Sequence, residues 1–465
     1  MINRSRKYGR ISGVISALAA SLFLAACGGG GGIDNELAFR VIQASPDAPP
    51  VNIRIDGVAF RSGVNYKEGT GFTFVTPRDY HFQVEAIVPG DDEIVVDQNV
   101  PLAAGKEYTV LAVGKAATAS VQSLIFENAF EDIPDGNTRV QFVHVAPDAP
   151  TYDVYITGKD ASLPAATPLG QVSYGDQPAA RELIPPGTYV IRVTPAGDPD
   201  TVVFDSGELG GFRNRDDLLI VLVQNTTTGT APISLVVNDR FNNLEILDKS
   251  TPTSYRVVHL SPDAPALDVV ADPSTAATPE VTLASGLTYL GHTGHVSIPP
   301  ETYTVRGVKT SDPTPATPLF TFTRASFAAQ SATVFATGLL ATMNGQVVAD
   351  DLRPIFAQAK LRVLDAAPGS GTVDLYLLEP GQTVADVNPT ITNFVLTSIT
   401  GHLGFAPNSY TVVFTQAGTK TELAGQAVVA GAGTVQTVIL VDAVRVDETS
   451  DGKPPSVLVL DDLGS

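Results

Sequence analysis

The stretch Arg139-Val-Gln-Phe-Val-His144-Val-Ala-Pro-Asp148-Ala-Pro-Thr-Tyr152-Asp-Val-Tyr-Ile156 decides the fold. Its second half alternates, with Tyr152, Val154 and Ile156 apolar against Asp153, Tyr155 and Thr157. A period of two with one apolar side describes a half-buried β-strand. The Pro147-Asp148-Ala149-Pro150 block before it is a turn, because proline fixes φ and an Asp side chain readily bonds nearby backbone. Related blocks begin at Arg40, Arg256 and Arg362, so the four starts lie 99, 117 and 106 residues apart. That interval is too long for a solenoid unit and suits a whole domain. The turn Asp is Asp47, Asp148 and Asp263 in the first three copies and Gly369 in the fourth, while the position before the turn holds Gln43, His144, His259 and Asp365.

Two more blocks recur. Tyr80, Tyr189, Tyr303 and Tyr410 each follow a turn and open an alternating strand. This resembles the tyrosine corner of β-sandwiches, where the hydroxyl bonds back to upstream backbone. A later strand, such as Leu218–Val223 or Val435–Val441, precedes a last one ending in Glu127-Asn128, Asn238-Asp239, Asp350-Asp351 or Asp461-Asp462. No copy carries a helical period. The expected fold is all-β: four tandem antiparallel β-sandwich domains, immunoglobulin-like or transthyretin-like, over 38–134, 137–249, 254–354 and 359–465. The short joints, with Pro, Gly and polar residues, suggest beads on a string with limited bending between neighbours. Composition agrees, since 43% hydrophobic and only 17% charged residues with 41 Gly and 34 Pro exclude coiled coil and disorder.

Ahead of the repeats, Arg4, Arg6, Lys7 and Arg10 are followed by an apolar run from Ile11 to Ala26, too short for a membrane span and laid out as a secretory signal. Leu24-Ala25-Ala26-Cys27 resembles the bacterial lipobox, which implies cleavage after residue 26 and acylation, including palmitate, of Cys27. The alternative is an ordinary signal peptide with a chance cysteine. Gly28–Gly32 would form a flexible tether within 27–37. A glycine rather than Asp after Cys27 resembles lipoproteins sent to the outer membrane. Cys27 is the only cysteine, so the domains hold without disulfides. A net charge of −20 disfavours nucleic acid as a partner; it fits a soluble exported surface or an acidic ligand-binding face.

The repeated Ser-Pro-Asp-Ala-Pro turn followed by a Val-Asp-Val-Tyr-like strand resembles the family called domain of unknown function 4397, found in exported and lipid-anchored bacterial proteins. The resemblance covers essentially all of 38–465, with copies two and three nearest the pattern. It implies no activity.

Candidate chemistry is sparse. Asp47, Asp148 and Asp263 each stand five positions before Asn52, Asp153 and Asp268, so two oxygen-bearing side chains near one loop are candidate calcium ligands. The competing reading makes each turn Asp an Asx-turn former. His144 and His259, and the His292/His295 pair, fall short of a zinc set and read more simply as structural. The four tyrosines are alternative sugar-stacking surfaces. Hydrolase, nucleotide and thiol motifs are missing. The expectation is a non-catalytic, membrane-anchored cell-envelope protein presenting its sandwiches for adhesion or for ligand or partner binding, with no cofactor other than a candidate calcium. The rivals are a passive spacer and a metal-assisted exported hydrolase using Asp148, Asp263, His144 and His259.

Overall fold

The computed structural model describes residues 37–90, 92–275, 279–312, 317–442 and 454–464. The leader, Cys27 and the glycine tether lie outside the described residues.

The first unit contains eight strands: β1 (Leu37–Gln43), β2 (Val51–Ile55), β3 (Val58–Val64), β4 (Thr73–Phe74), β5 (Arg78–Ala86), β6 (Glu93–Leu102), β7 (Lys106–Val113) and β8 (Gln122–Ala129). They form two four-stranded sheets, ordered β4-β1-β7-β8 and β3-β2-β5-β6. All neighbours are antiparallel except β1 and β7, which run parallel from Leu37 opposite Lys106 to Gln43 opposite Ala112. In an immunoglobulin constant-type sandwich the first strand lies beside the second. Here β2 is in the opposite sheet, so of the two expected sandwich classes the arrangement is the transthyretin-like one. The other three units repeat it, and the second adds Asn243–Ile246 at the edge of its five-stranded sheet.

Alternation builds each core. Along β5, Tyr80, Phe82, Val84 and Ala86 are buried, and the first three cluster with Phe39 and Val41 of β1 and Val110 of β7. At roughly 1.5–3 kcal/mol for each large apolar side chain taken from water, such a cluster supplies most of a unit's drive to fold.

The opening strand of every unit, however, is buried on both faces along its whole length. Leu37, Phe39 and Val41 face the unit's own core, whereas Ile42 joins a second cluster with Leu111, Val113 and Phe126. That cluster is completed by Val143, Val145, Leu219, Val221, Val223 and Val236 of the second unit. Units three and four meet in the same way, through Val258, Leu260 and Phe335 against Leu364, Ala366, Ile439 and Val441. The expected string of beads with limited bending at its joints is therefore replaced by two face-to-face pairs. The physical reason is that the outward face of this sheet is itself apolar and must be covered.

The lead-in to the fourth unit also lies against the first. Arg353 Nη1 donates to the carbonyls of Pro46 (3.2 Å) and Ala48 (2.9 Å), and the Phe356 N–H donates to the Asp47 carbonyl at 2.8 Å. Gln358 Nε2 reaches the Ile87 carbonyl at 3.0 Å.

Candidate functional site

The turn singled out by the sequence is a capped turn. In the second unit the Ala146 N–H donates to His144 Nδ1 (3.2 Å), and Nε2 lies 3.1 Å from the Pro150 carbonyl. His259 makes the same two contacts, with Ser261 and Pro265. Asp365 receives the Ala367 N–H at 3.0 Å and Gln43 receives the Ser45 N–H at 2.7 Å. His, Gln and Asp thus interchange because each offers an acceptor to the N–H two residues on. Burial lowers the pKa of both histidines, keeping them neutral. Burial also pushes Asp365 up to about 6, aided by the nearby charge of Asp442.

The candidate calcium ligands are held by backbone. Asp47 accepts the N–H groups of Ala116 and Ala117 at 2.8 and 3.0 Å, and Asp263 accepts that of Leu340 at 2.8 Å, each opening a short 3-10 turn. In the fourth unit the direction reverses: the Gly369 N–H donates to Asp442 Oδ2 at 3.0 Å. Asp148 instead pairs with Lys115 of the first unit. Of the residues five positions on, Asn52, Asp268 and Asp374 sit at strand irregularities, whereas Asp153 lies in regular pairing. Asp268 accepts the Gly286 N–H (2.7 Å) and Asp374 that of Asn393 (2.8 Å), with Asn52 bonded to Gly63 at 3.3 Å. Gly63, Gly286 and Asn393 all have positive φ, so these side chains pin β-bulges. Asp153 accepts from Gln171 and from the Gly197 N–H. Among the described residues no three His, Cys, Asp or Glu side chains gather as a metal site. His292 and His295 diverge, His295 bonding Asp350 at 3.0 Å.

The tyrosines behave as corners. Their hydroxyls donate to carbonyls four residues upstream, Thr76, Pro185, Pro299 and Ala406, at 2.8–2.9 Å. Tyr80, Tyr303 and Tyr410 are buried, which leaves no face for a sugar.

One capped turn is incomplete. In the first unit the space around it opens into a cavity of about 370 Å³, walled by Ala48, Val51, Val84, Ala86, Ile94 and Ala112 and closed on one side by Phe356 of the strap from the third unit to the fourth. Gln43 and Ser45 line it, 1% and 0% exposed, and neither Gln43 Nε2 nor Ser45 Oγ has a hydrogen-bond partner. In the second unit the equivalent room is filled by His144 and Tyr152, whose rings lie 5.3 Å apart, where the first has Gln43 and Val51. In sequence this copy departs from copies two and three, Gln43 standing where they have His144 and His259. The signal was there, in two smaller side chains at positions facing each other.

A family model described as "Domain of unknown function (DUF4397)" matches residues 38–155 and 253–376, more than half of the chain. The chain belongs to this family. Each DUF4397 match takes in one whole unit and the opening strands of the next, ending at Tyr155 and Tyr376. No curated protein matches the chain. Among solved structures it is similar to the Bacillus anthracis TIE protein, at 10% identity over 84% of this chain and 67% of that one, with a TM-score of 0.17. It is also similar to a pneumococcal multi-modular glycogen-degrading virulence factor, SpuA, at 11% identity, 60% of this chain and 37% of that one, TM-score 0.16. A leucine-rich repeat protein from Bacteroides thetaiotaomicron follows at 13%, 43% and 26%, TM-score 0.13.

The paired DUF4397 units also explain the repeated arginine and the acidic end of the last strand. Arg256 Nη2 bonds Asp462 at 2.8 Å and Arg362 Nη1 bonds Asp350 at 2.6 Å, so each unit's first strand reaches the other unit's end. Thr333 and Thr437 hold the guanidinium groups from beneath, at 3.0–3.2 Å. Burial pushes Asp350 up, but His295 and the charges of Arg362 and Arg256 outweigh it and hold the carboxyl at about 2. In the other pair Arg40 Nη1 bonds Asn238 at 2.5 Å, and Gln141 exchanges two amide bonds with Asn128 at 3.0 and 3.2 Å. Gln141, not Arg139, is thus the counterpart of Arg40, because the distance to the turn sets the register. Arg139 turns to Asp217 at 2.6 and 3.0 Å. Gly69 and Gly71 serve the same seam: a Cβ on Gly71 would stand 2.8 Å from the Arg240 carbonyl of the second unit.

Proposed function

We propose that this chain is a lipid-anchored, non-catalytic protein of the bacterial cell envelope, held to the outer membrane through acyl groups on Cys27. Its four sandwiches act as two stiff pairs that carry a binding surface away from the membrane. The observation that carries this reading is the pairing itself. Both faces of every opening strand are buried, and the repeated Arg, Asp, His and Tyr side chains are engaged in holding turns, bulges and seams. A stiff body positions its end loops well, and end loops on a rigid scaffold are where binding usually resides. The basic leader, the apolar run and Cys27 support export and anchoring.

The test is metabolic labelling with an alkynyl palmitate followed by fractionation of the cells. The full chain is expected to carry label and sediment with membranes, and Cys27→Ser to lose the label and become soluble. An unlabelled, soluble parent protein overturns the proposal.

A further inference from the structure

We infer that the cavity of the first unit is a binding site for a small, uncharged molecule with an apolar body and one carbonyl-type oxygen. This deepens the binding reading above and rests on it for its biological setting, though the site is argued from its own geometry.

The first argument is desolvation. A buried amide N–H or hydroxyl left without a partner keeps the full cost of its lost hydration, and natural folds rarely tolerate it. Gln43 and Ser45 present two such groups side by side, both buried and both lining the same space. The Gln43 carbonyl is already taken by the Ser45 N–H, so the side-chain amide is fixed in orientation and its buried NH₂ is left without a partner in the cavity wall. Two groups able to donate, on residues that line one space, call for an acceptor oxygen.

The second argument comes from the other three units. Each fills or satisfies the same place: His144 with Tyr152, His259 with the Pro265 carbonyl, and Asp365 with Ser370 Oγ at 3.3–3.4 Å. The fold therefore closes this turn without a ligand when the residues are right for it. The first unit alone combines Gln43, Ser45 and Val51, and it is there that the room opens.

The wall chemistry sets the class of ligand. Alanine, valine, isoleucine, proline and phenylalanine make up most of the lining, no Lys or Arg belongs to it, and Glu93 is exposed at its edge. The one charged side chain in the lining, Glu93, would repel an anion. A volume of about 370 Å³ is at the lower end for small-molecule pockets, enough for one or two rings. Phe356 belongs to the strap that Arg353 and Gln358 tie to the first unit, so the complete site requires the fourth unit's lead-in.

The probe is 6-propionyl-2-dimethylaminonaphthalene, an uncharged two-ring ketone whose emission reports both burial and hydrogen bonding. It is titrated into residues 33–465, which retain all four units. Saturable one-to-one binding is expected, at least fivefold tighter than for 2-dimethylaminonaphthalene, which lacks the ketone. Gln43→His, which installs the residue of the second and third units, should weaken binding at least tenfold with the melting temperature kept or raised. Ser45→Ala should weaken it by a smaller factor. No saturable binding, equal affinity for the two probes, or affinity unchanged by both Gln43→His and Ser45→Ala overturns the inference. Such failure leaves the envelope proposal standing, since that is read by labelling at Cys27.

Discussion

Replacing Asp365 with Asn should stabilise the protein at neutral pH and do nothing in acid. Asp365 is fully buried on the fourth unit's first strand, with the Ala367 N–H and Ser370 Oγ as its partners. Its carboxyl is pushed up to about 6 from the ordinary 3.8, by burial first and by Asp442 second. An acid whose pKa is raised on folding binds more protons folded than unfolded, so stability falls as pH rises from about 4 to above 6. The gap corresponds to about 3 kcal/mol between fully protonated and fully ionised Asp365. Asn keeps the acceptor for Ala367 and carries no charge. Asp365→Asn should therefore gain about 2 kcal/mol at pH 7.5, the remainder being lost with the stronger charged hydrogen bonds. At pH 4 the difference should fall to within about 0.5 kcal/mol, which is ordinary scatter for a neutral change. Urea unfolding of parent and variant at the two pH values measures it. Equal stabilisation at both, or destabilisation at pH 7.5, would refute the reasoning.

Further outcomes follow from the seams and corners. Arg362→Met takes the guanidinium from the buried Asp350, leaving it only His295 and Thr333, and should cost about 3–5 kcal/mol; Asp350→Leu with Arg362→Met, tested by the same unfolding curves, should recover much of that. The stability that Asp350 contributes is present above pH 4 and is lost as pH falls towards its folded value of about 2, which an acid titration followed by circular dichroism will show. Tyr303→Phe removes one buried hydroxyl from the Pro299 carbonyl and should cost about 1 kcal/mol in urea. Gly71→Ala should loosen the first seam by about 1–3 kcal/mol, seen as faster hydrogen exchange in the second unit's Arg240 turn.

The strands and corners were legible in the sequence because both depend on local spacing. Tyr80, Tyr189, Tyr303 and Tyr410 bond four residues back, as a turn followed by tyrosine implies. The sandwich pairing was not legible. The opening strand puts Leu37, Phe39 and Val41 on one side and Arg40 and Ile42 on the other, and only the second unit shows that the side with Arg40 is buried as well. The register of Gln141 was hidden too, since an Arg-Val pair two residues earlier imitates the motif. Polar side chains at fixed places in every copy, Arg40, Gln141, Arg256 and Arg362 near the start and Asn128, Asn238, Asp350 and Asp462 at the end, were the one available sign of reciprocal contact. The cavity depended on comparing residues that face each other across two strands, Gln43 with Val51 and His144 with Tyr152, which a linear reading keeps apart.

The account stands most directly on the claim that neighbouring units form stiff pairs. Cys27 is the sole cysteine, so in a Cys27→Ser background spin labels can be placed at will on exposed positions. Labels at Ala59 with Thr201 span the first pair, and labels at Thr321 with Thr411 span the second; all four residues are exposed. Pulsed dipolar spectroscopy should return one narrow distance distribution for each, unchanged by temperature or viscosity. A broad distribution, or one that widens as a freely jointed linker would, contradicts the pairing and returns the chain to a string of independent beads.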